Sequence, residues 1–174
     1  EYFTYTKYYN SVTIDGYTGP DTEISIPRYI EGTPVTTINY GAFQYNRTIT
    51  SVKLPSTVTQ IGGSAFSYCS NLAKVDLNEG LTYIDYSAFN GTALTEVTLP
   101  ASLEYLADDA FYNCSKLTAI NVAEGNTTYQ SVDGVLLTAD GTGIITYPHA
   151  KTYTAYAIPD GVTTIGEAAF AGCA

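Results

Sequence analysis

The stretch Leu54-Pro-Ser-Thr-Val-Thr-Gln-Ile-Gly-Gly-Ser-Ala-Phe-Ser-Tyr-Cys-Ser-Asn-Leu72 sets the frame for the whole chain. Its Ala65-Phe66 pair returns as Ala42-Phe43, Ala88-Phe89, Ala110-Phe111 and Ala169-Phe170, at successive offsets of 23, 23, 22 and 59 residues. Aliphatics keep fixed places around each pair. One lies five residues before Phe (Ile38, Ile61, Ile84, Leu106, Ile165) and another eight before (Val35, Val58, Leu81, Leu103, Val162). A third follows Phe by five or six residues (Ile49, Leu72, Leu94, Leu117). An alternating pair comes next: Val52/Leu54, Val75/Leu77, Val97/Leu99, Ile120/Val122.

A period in the 20–29 residue range, with leucine-type positions and one short alternating strand per unit, predicts a leucine-rich repeat solenoid. A single unit cannot bury its apolar edge, whereas stacked units share one continuous core. Each unit reads as two extended pieces, Leu/Val-x-Leu-Pro and Val-Thr-x-Ile. Ser64–Cys69 reads as one helical or 3₁₀ turn with Ala65 and Phe66 pointing inward, which predicts β-rich coils with short helical turns, of the α/β superhelix type.

Residues 1–34 depart from the frame. Tyr5, Val12, Ile14 and Tyr17 sit among Thr, Asn and Gly, with Asp15-Gly16 and Gly19-Pro20-Asp21 as turn signals, and predict an N-terminal β cap over the first coil. Ile24-Ser25-Ile26-Pro27 matches the later Val-x-Leu-Pro strands and is the first repeat strand. Repeats of about 23 residues then fill 35–174, with an insertion at about 123–155. There Val135-Leu136-Leu137 and Ile144-Ile145-Thr146-Tyr147 flank Asp140-Gly141, which predicts an inserted β-hairpin. The sequence has no Met and no polar cap after Cys173, so it reads as a trimmed piece of a longer protein.

The composition narrows the partners. A net charge of −10 disfavours nucleic acid and anionic membranes, both of which need a cationic surface. No run reaches transmembrane length. The Tyr- and Thr-rich, Lys-poor repeats read as extracellular. Cys69, Cys114 and Cys173 each follow the repeat Phe by three residues, so they share one slot on different coils. Two coils separate Cys69 from Cys114 by roughly 10 Å at ~4.8 Å per coil. A disulfide needs its Cα atoms within about 7 Å. All three are therefore expected as buried thiols, with Tyr45 and Gly91 at or near the same slot elsewhere.

The 54–72 motif, the segment 129–148 and the opening Val12-Thr-Ile-Asp-Gly-Tyr-Thr-Gly19 together resemble the BspA-like class of leucine-rich repeats, found in secreted and surface proteins of bacteria and some protists. The resemblance implies the solenoid fold and associates the chain with adhesion to host matrix proteins or other microbes.

No catalytic constellation emerges from the residues. His149 sits in a loop with no nucleophile or carboxylate in its local pattern. Asp108-Asp109, Asp133 and Asp140 lack the alternating oxygen ligands of a calcium loop, and no cofactor motif is present. Asn46, Asn113 and Asn126 match the glycosylation sequon. What remains is surface. The residue between the two aliphatics of each strand faces outward, giving Ser25, Lys53, Asp76, Thr98, Asn121 and Ala157. A flanking row holds Ser51, Lys74, Glu96 and Ala119. A second ladder holds Thr37, Gln60, Tyr83, Tyr105 and Thr164. The candidate binding surface is Lys53, Lys74, Asp76, Glu96, Thr98 and Asn121, with Tyr83 and Tyr105 next in line. The expected function is a non-enzymatic binding or adhesion module that presents this surface to a protein or cell-surface ligand. A structural spacer, or a non-catalytic module of a surface enzyme acting on polysaccharide, are the alternatives.

Overall fold

The computed structural model describes residues 2–152 and 155–173. The N-terminal part contributes β1 (Phe3–Lys7), β2 (Val12–Tyr17), β3 (Glu23–Ser25), β4 (Tyr29–Ile30) and β5 (Thr33–Ile38). The regular coils add β6 (Ser51–Lys53), β7 (Gln60–Ile61), β8 (Lys74–Asp76), β9 (Tyr83–Ile84), β10 (Glu96–Leu99) and β11 (Tyr105–Leu106). The remainder holds β12 (Ala119–Val122), β13 (Tyr129–Val132), β14 (Val135–Thr138), β15 (Gly143–Thr146) and β16 (Thr164–Ile165). The chain winds into a leucine-rich repeat solenoid of about seven coils.

Each regular coil supplies one short rung to each of two parallel ladders. One ladder runs β3-β6-β8 and continues in the pair β10-β12. The other runs β5-β7-β9-β11, and β1 and β2 extend it at the N-terminal end. There β1 pairs antiparallel with β2, and β2 pairs in parallel with β5, so Val12 and Ile14 are fully buried against the first coil.

The repeat positions fill the space between the ladders. Phe43, Phe66, Phe89 and Phe111 form a column with ring centroids 4.8, 5.3 and 5.5 Å apart and planes within 9° of parallel. The aliphatic columns Val35/Val58/Leu81/Leu103 and Ile38/Ile61/Ile84/Leu106 are buried beside it. Each such side chain contributes roughly 1.5–3 kcal/mol of burial, so the periodic positions account for most of the apolar driving force.

The turns that carry Ala and Phe are not helical, contrary to the sequence expectation: among the described residues no helix is present. The backbone hydrogen bonds give the reason. The N–H groups of Ala65, Ser67 and Cys69 donate within the coil, to Gly62, Ser64 and Phe66. Those of Ser64, Phe66 and Tyr68 donate instead to Tyr86, Ala88 and Asn90 of the next coil. Every second donor thus leaves the coil, and a helix cannot propagate. Ser64 and Tyr68 also adopt positive φ (55° and 57°), which interrupts any helical run.

The inserted segment folds as three antiparallel strands, β13-β14-β15, turning at Asp133-Gly134 and at Asp140-Gly141. Its last strand does not protrude. β15 pairs in parallel with β16, Gly143 opposite Thr164 and Ile144 opposite Ile165, and so serves as a rung. Tyr147 then takes the Phe position of this coil and stacks on Phe170 at 5.2 Å, in a core cluster separate from that of Phe43–Phe111. The 59-residue interval therefore resolves into 36 residues from Phe111 to Tyr147 and 23 from Tyr147 to Phe170.

Candidate strand-ladder surface

Alternation within β6, β8 and β10 buries Val52, Val75 and Val97 and turns their neighbours outward. Register places Ser25, Lys53 and Asp76 on successive rungs, with Glu23, Ser51 and Lys74 in the adjoining column. The pair β10-β12 continues both columns, with Thr98 opposite Asn121 and Glu96 opposite Ala119. Lys53, Lys74, Asp76, Glu96 and Thr98 are exposed, and Asn121 is half-buried. Ala157 lies outside any strand; the hairpin strands β13 and β14 pack against β12 instead.

The charges on this ladder are free. Among the described residues the ion pairs are Lys7–Glu31 and Lys151–Asp133, and neither belongs to it. Among the described residues no hydrogen bond engages the side chains of Lys53, Lys74, Asp76 or Glu96. The columns are not continuous, however. No strand pairing joins β8 to β10, and a cleft of about 400 Å³ opens at that point. Lys74, Asp76, Glu96 and Thr98 stand around it, over Val75, Leu77 and Val97. The lapse coincides with a coil one residue short: five residues separate Phe89 from Leu94, where six separate Phe66 from Leu72. The sequence reading did not include Glu79, which also lines the cleft. Its carboxylate accepts the N–H groups of Ala101 and Ser102 and fixes the turn beside it.

Tyr83 and Tyr105 do not share this surface. They stand on β9 and β11 of the other ladder, stacked at 4.6 Å, with Tyr105 exposed and Tyr83 half-buried. Burial raises the Tyr83 phenol above its ordinary range. The two rings satisfy each other across the coils, as expected for ladder packing.

The other residues singled out in the sequence take structural roles. His149 packs edge-on against Tyr112. Asp109 accepts from the Ser87 N–H and hydroxyl. Asp140 closes its turn by accepting from Thr138 and Thr142. Asn46 and Asn126 spend their side chains on the backbone of their own turns. Asn126 also donates to Pro100 and Leu103, so its amide nitrogen is not available for modification.

The thiols are free. Cys69 Sγ donates to the Phe43 carbonyl at 3.0 Å and Cys114 Sγ to that of Phe89 at 3.1 Å. Cys173 is half-buried, not buried as expected, and its bond to the Tyr147 carbonyl is a longer 3.8 Å. The slot holds Asn46 and Thr92 in the coils without Cys. Tyr45 and Gly91 sit one residue earlier, in a column of positive φ that includes Tyr68 and Asn113.

A family model described as BspA type leucine rich repeat region matches in six copies, over residues 36–132 and 147–174. Among solved structures, the pneumococcal vaccine antigen PcpA is similar in fold, with a TM-score of 0.78 at 23% identity over 97% of this chain. A leucine rich cell surface protein from Faecalibacterium prausnitzii is 26% identical over 99% of the chain, with a TM-score of 0.57. A leucine-rich repeat protein from Bacteroides capillosus is 32% identical over 70% of the chain and 94% of its own length, with a TM-score of 0.64. The chain spans 59% and 66% of the first two proteins. No curated protein matches it in sequence.

Proposed function

The chain belongs to the BspA type leucine-rich repeat family, and from that premise we propose that it is a non-catalytic binding module of a secreted or cell-surface bacterial protein. Its partner is a protein segment or cell-surface ligand held on the strand ladder. One observation carries the reading: four exposed charges of both signs, Lys53, Lys74, Asp76 and Glu96, stand without partners in and beside the cleft between β8 and β10. Opposite charges on neighbouring rungs usually pair across a sheet. Left unpaired on a rigid ladder, they are free for a complementary partner and lose little entropy on binding. The Faecalibacterium prausnitzii relative is described as a cell surface protein, which supports an extracellular setting.

The test is a binding panel of matrix proteins and bacterial cells, run with the wild type and with Lys53→Glu/Lys74→Glu. Binding that the double substitution weakens by about tenfold or more supports the ladder. A ligand bound equally by both proteins moves the site elsewhere, with Tyr83 and Tyr105 the next place to look. No ligand at all favours a spacer that holds another domain off the cell.

A further inference from the structure

The edge of the solenoid formed by the Ala-Phe turns carries a second surface of different chemistry. The turn segments 40–46, 63–69 and 86–92 contain no Asp, Glu, Lys or Arg, in a chain whose net charge is −10. They carry exposed tyrosines instead: Tyr40, Tyr45, Tyr68 and Tyr86. Two of these rings, Tyr68 and Tyr86, lie against glycines one coil away. A Cβ on Gly63 would come within 2.6 Å of the Tyr86 ring, and one on Gly91 within 2.8 Å of the Tyr68 ring. Each of these two rings thus covers a bare stretch of neighbouring backbone and still stays exposed, Tyr68 by 42% and Tyr86 by 49%. Each is also braced by a second tyrosine. Tyr45 stacks on Tyr68 at 5.4 Å with the planes 5° apart, and Tyr40 sits 6.2 Å from Tyr86. Beside Tyr68, the side-chain amides of Asn90 and Asn113 bond each other at 3.4 Å on adjacent coils.

We propose that this turn edge binds a neutral glycan. A pyranose ring has an apolar C–H face and a rim of hydroxyls. Tyrosine faces fixed in advance offer rigid, amphipathic contact area at little entropic cost, and amides offer hydrogen bonds of both senses. Three uncharged turns inside an acidic protein favour a ligand without charge, since the surrounding field repels uronic, sialic and sulfated sugars. The surface is separate from the charged ladder, so it stands whether or not that ladder binds a protein.

The experiment is affinity electrophoresis in soluble β-glucan, mannan and galactan, with heparin and hyaluronan as anionic polymers. The proteins are the wild type, Tyr68→Ala/Tyr86→Ala, Tyr68→Phe/Tyr86→Phe and Lys53→Glu/Lys74→Glu, with unchanged melting temperature as the check on folding. Retardation of the wild type by at least one neutral polymer is expected. The alanine pair weakens it by about tenfold or more, while the phenylalanine pair and the lysine pair keep it. Absence of retardation in all three neutral polymers overturns the proposal. So does retardation by anionic polymers alone, or retardation that the alanine pair leaves intact.

Discussion

The backbone N–H of Tyr147 donates to the carbonyl of Ala169 at 2.7 Å, the same bond that Phe43 makes to Ala65, Phe66 to Ala88 and Phe89 to Ala110. The neighbouring bond repeats as well: Gly166 donates to Ile144 as Gly62 donates to Ile38. The inserted segment therefore ends as a coil of the solenoid, and Tyr147 takes the Phe position of that coil, in a second core cluster that begins there.

Replacing Tyr147 should act as a core substitution. It is 5% exposed and packs with Tyr156 and Phe170 in a cluster of three mutually touching rings. Tyr147→Ala leaves a cavity beside Tyr156 and Phe170 and is expected to cost about 3–5 kcal/mol in equilibrium denaturation. Tyr147→Phe keeps the ring and should cost far less. Equal losses for the two substitutions would mean that the packing of its ring on Phe170 is not what Tyr147 contributes.

The three thiols should react in order of burial. Desolvation pushes the Cys69 thiol up to about 12 and raises Cys114 as well, so neither offers thiolate near neutrality. Cys173 is also raised by burial, but it is half-buried and open to reagent. A disulfide-exchange reagent at pH 8 should label Cys173 first, with Cys69 and Cys114 labelled on the timescale of unfolding. For Cys69 the raised folded value means that its contribution to stability is complete below about pH 8.5 and is lost as the pH rises toward the folded value. Cys69→Ala is expected to cost about 1–2 kcal/mol below that range.

Particular residues show what the sequence reveals. Phe43, Phe66, Phe89 and Phe111 are legible because fixed spacing is what a shared core imposes. Tyr147 is hidden because Thr146 stands in the Ala place and only three residues separate Ile144 from Tyr147, where five separate Ile61 from Phe66. The turn at Ser64–Cys69 carries a helix-like apolar pattern, yet the inter-coil bonds of Ser64, Phe66 and Tyr68 decide its conformation, and no local pattern announces them. For the site, alternation in Val52–Leu54 is enough to turn Lys53 outward. The lapse between β8 and β10 had a signal, the single 22-residue offset, but an offset alone does not say which hydrogen bonds are given up.

Asp140 gives the hairpin an acid sensitivity. The Thr138 hydroxyl first, and then the N–H and hydroxyl of Thr142, hold its carboxyl below the ordinary value of about 3.9. A depressed folded value contributes stability that is complete above about pH 4 and is lost as the pH falls through the folded value. Amide protection at Thr142 and Gly143 should fall in that acid range. Asp140→Asn should flatten the pH dependence at these two amides, and an unchanged profile in that variant would place the sensitivity on another group.

Tyr129 joins the hairpin to the repeats through one bond. The Leu106 N–H lies on the last rung of the β5-β7-β9-β11 ladder, where no further strand among the described residues pairs with β11. The Tyr129 hydroxyl accepts that N–H at 2.8 Å, and the tyrosine is 8% exposed. Burial raises its phenol above the ordinary range, so the hydroxyl stays protonated while it accepts. Tyr129→Phe preserves the ring but strands a buried donor, at an expected cost of about 1–3 kcal/mol. Most of the effect should be local, with amide exchange at Leu106 accelerating more than exchange at Ile61 or Ile84 on the inner rungs. If Leu106 keeps its protection in Tyr129→Phe, another group accepts its N–H and the hairpin does not close that ladder.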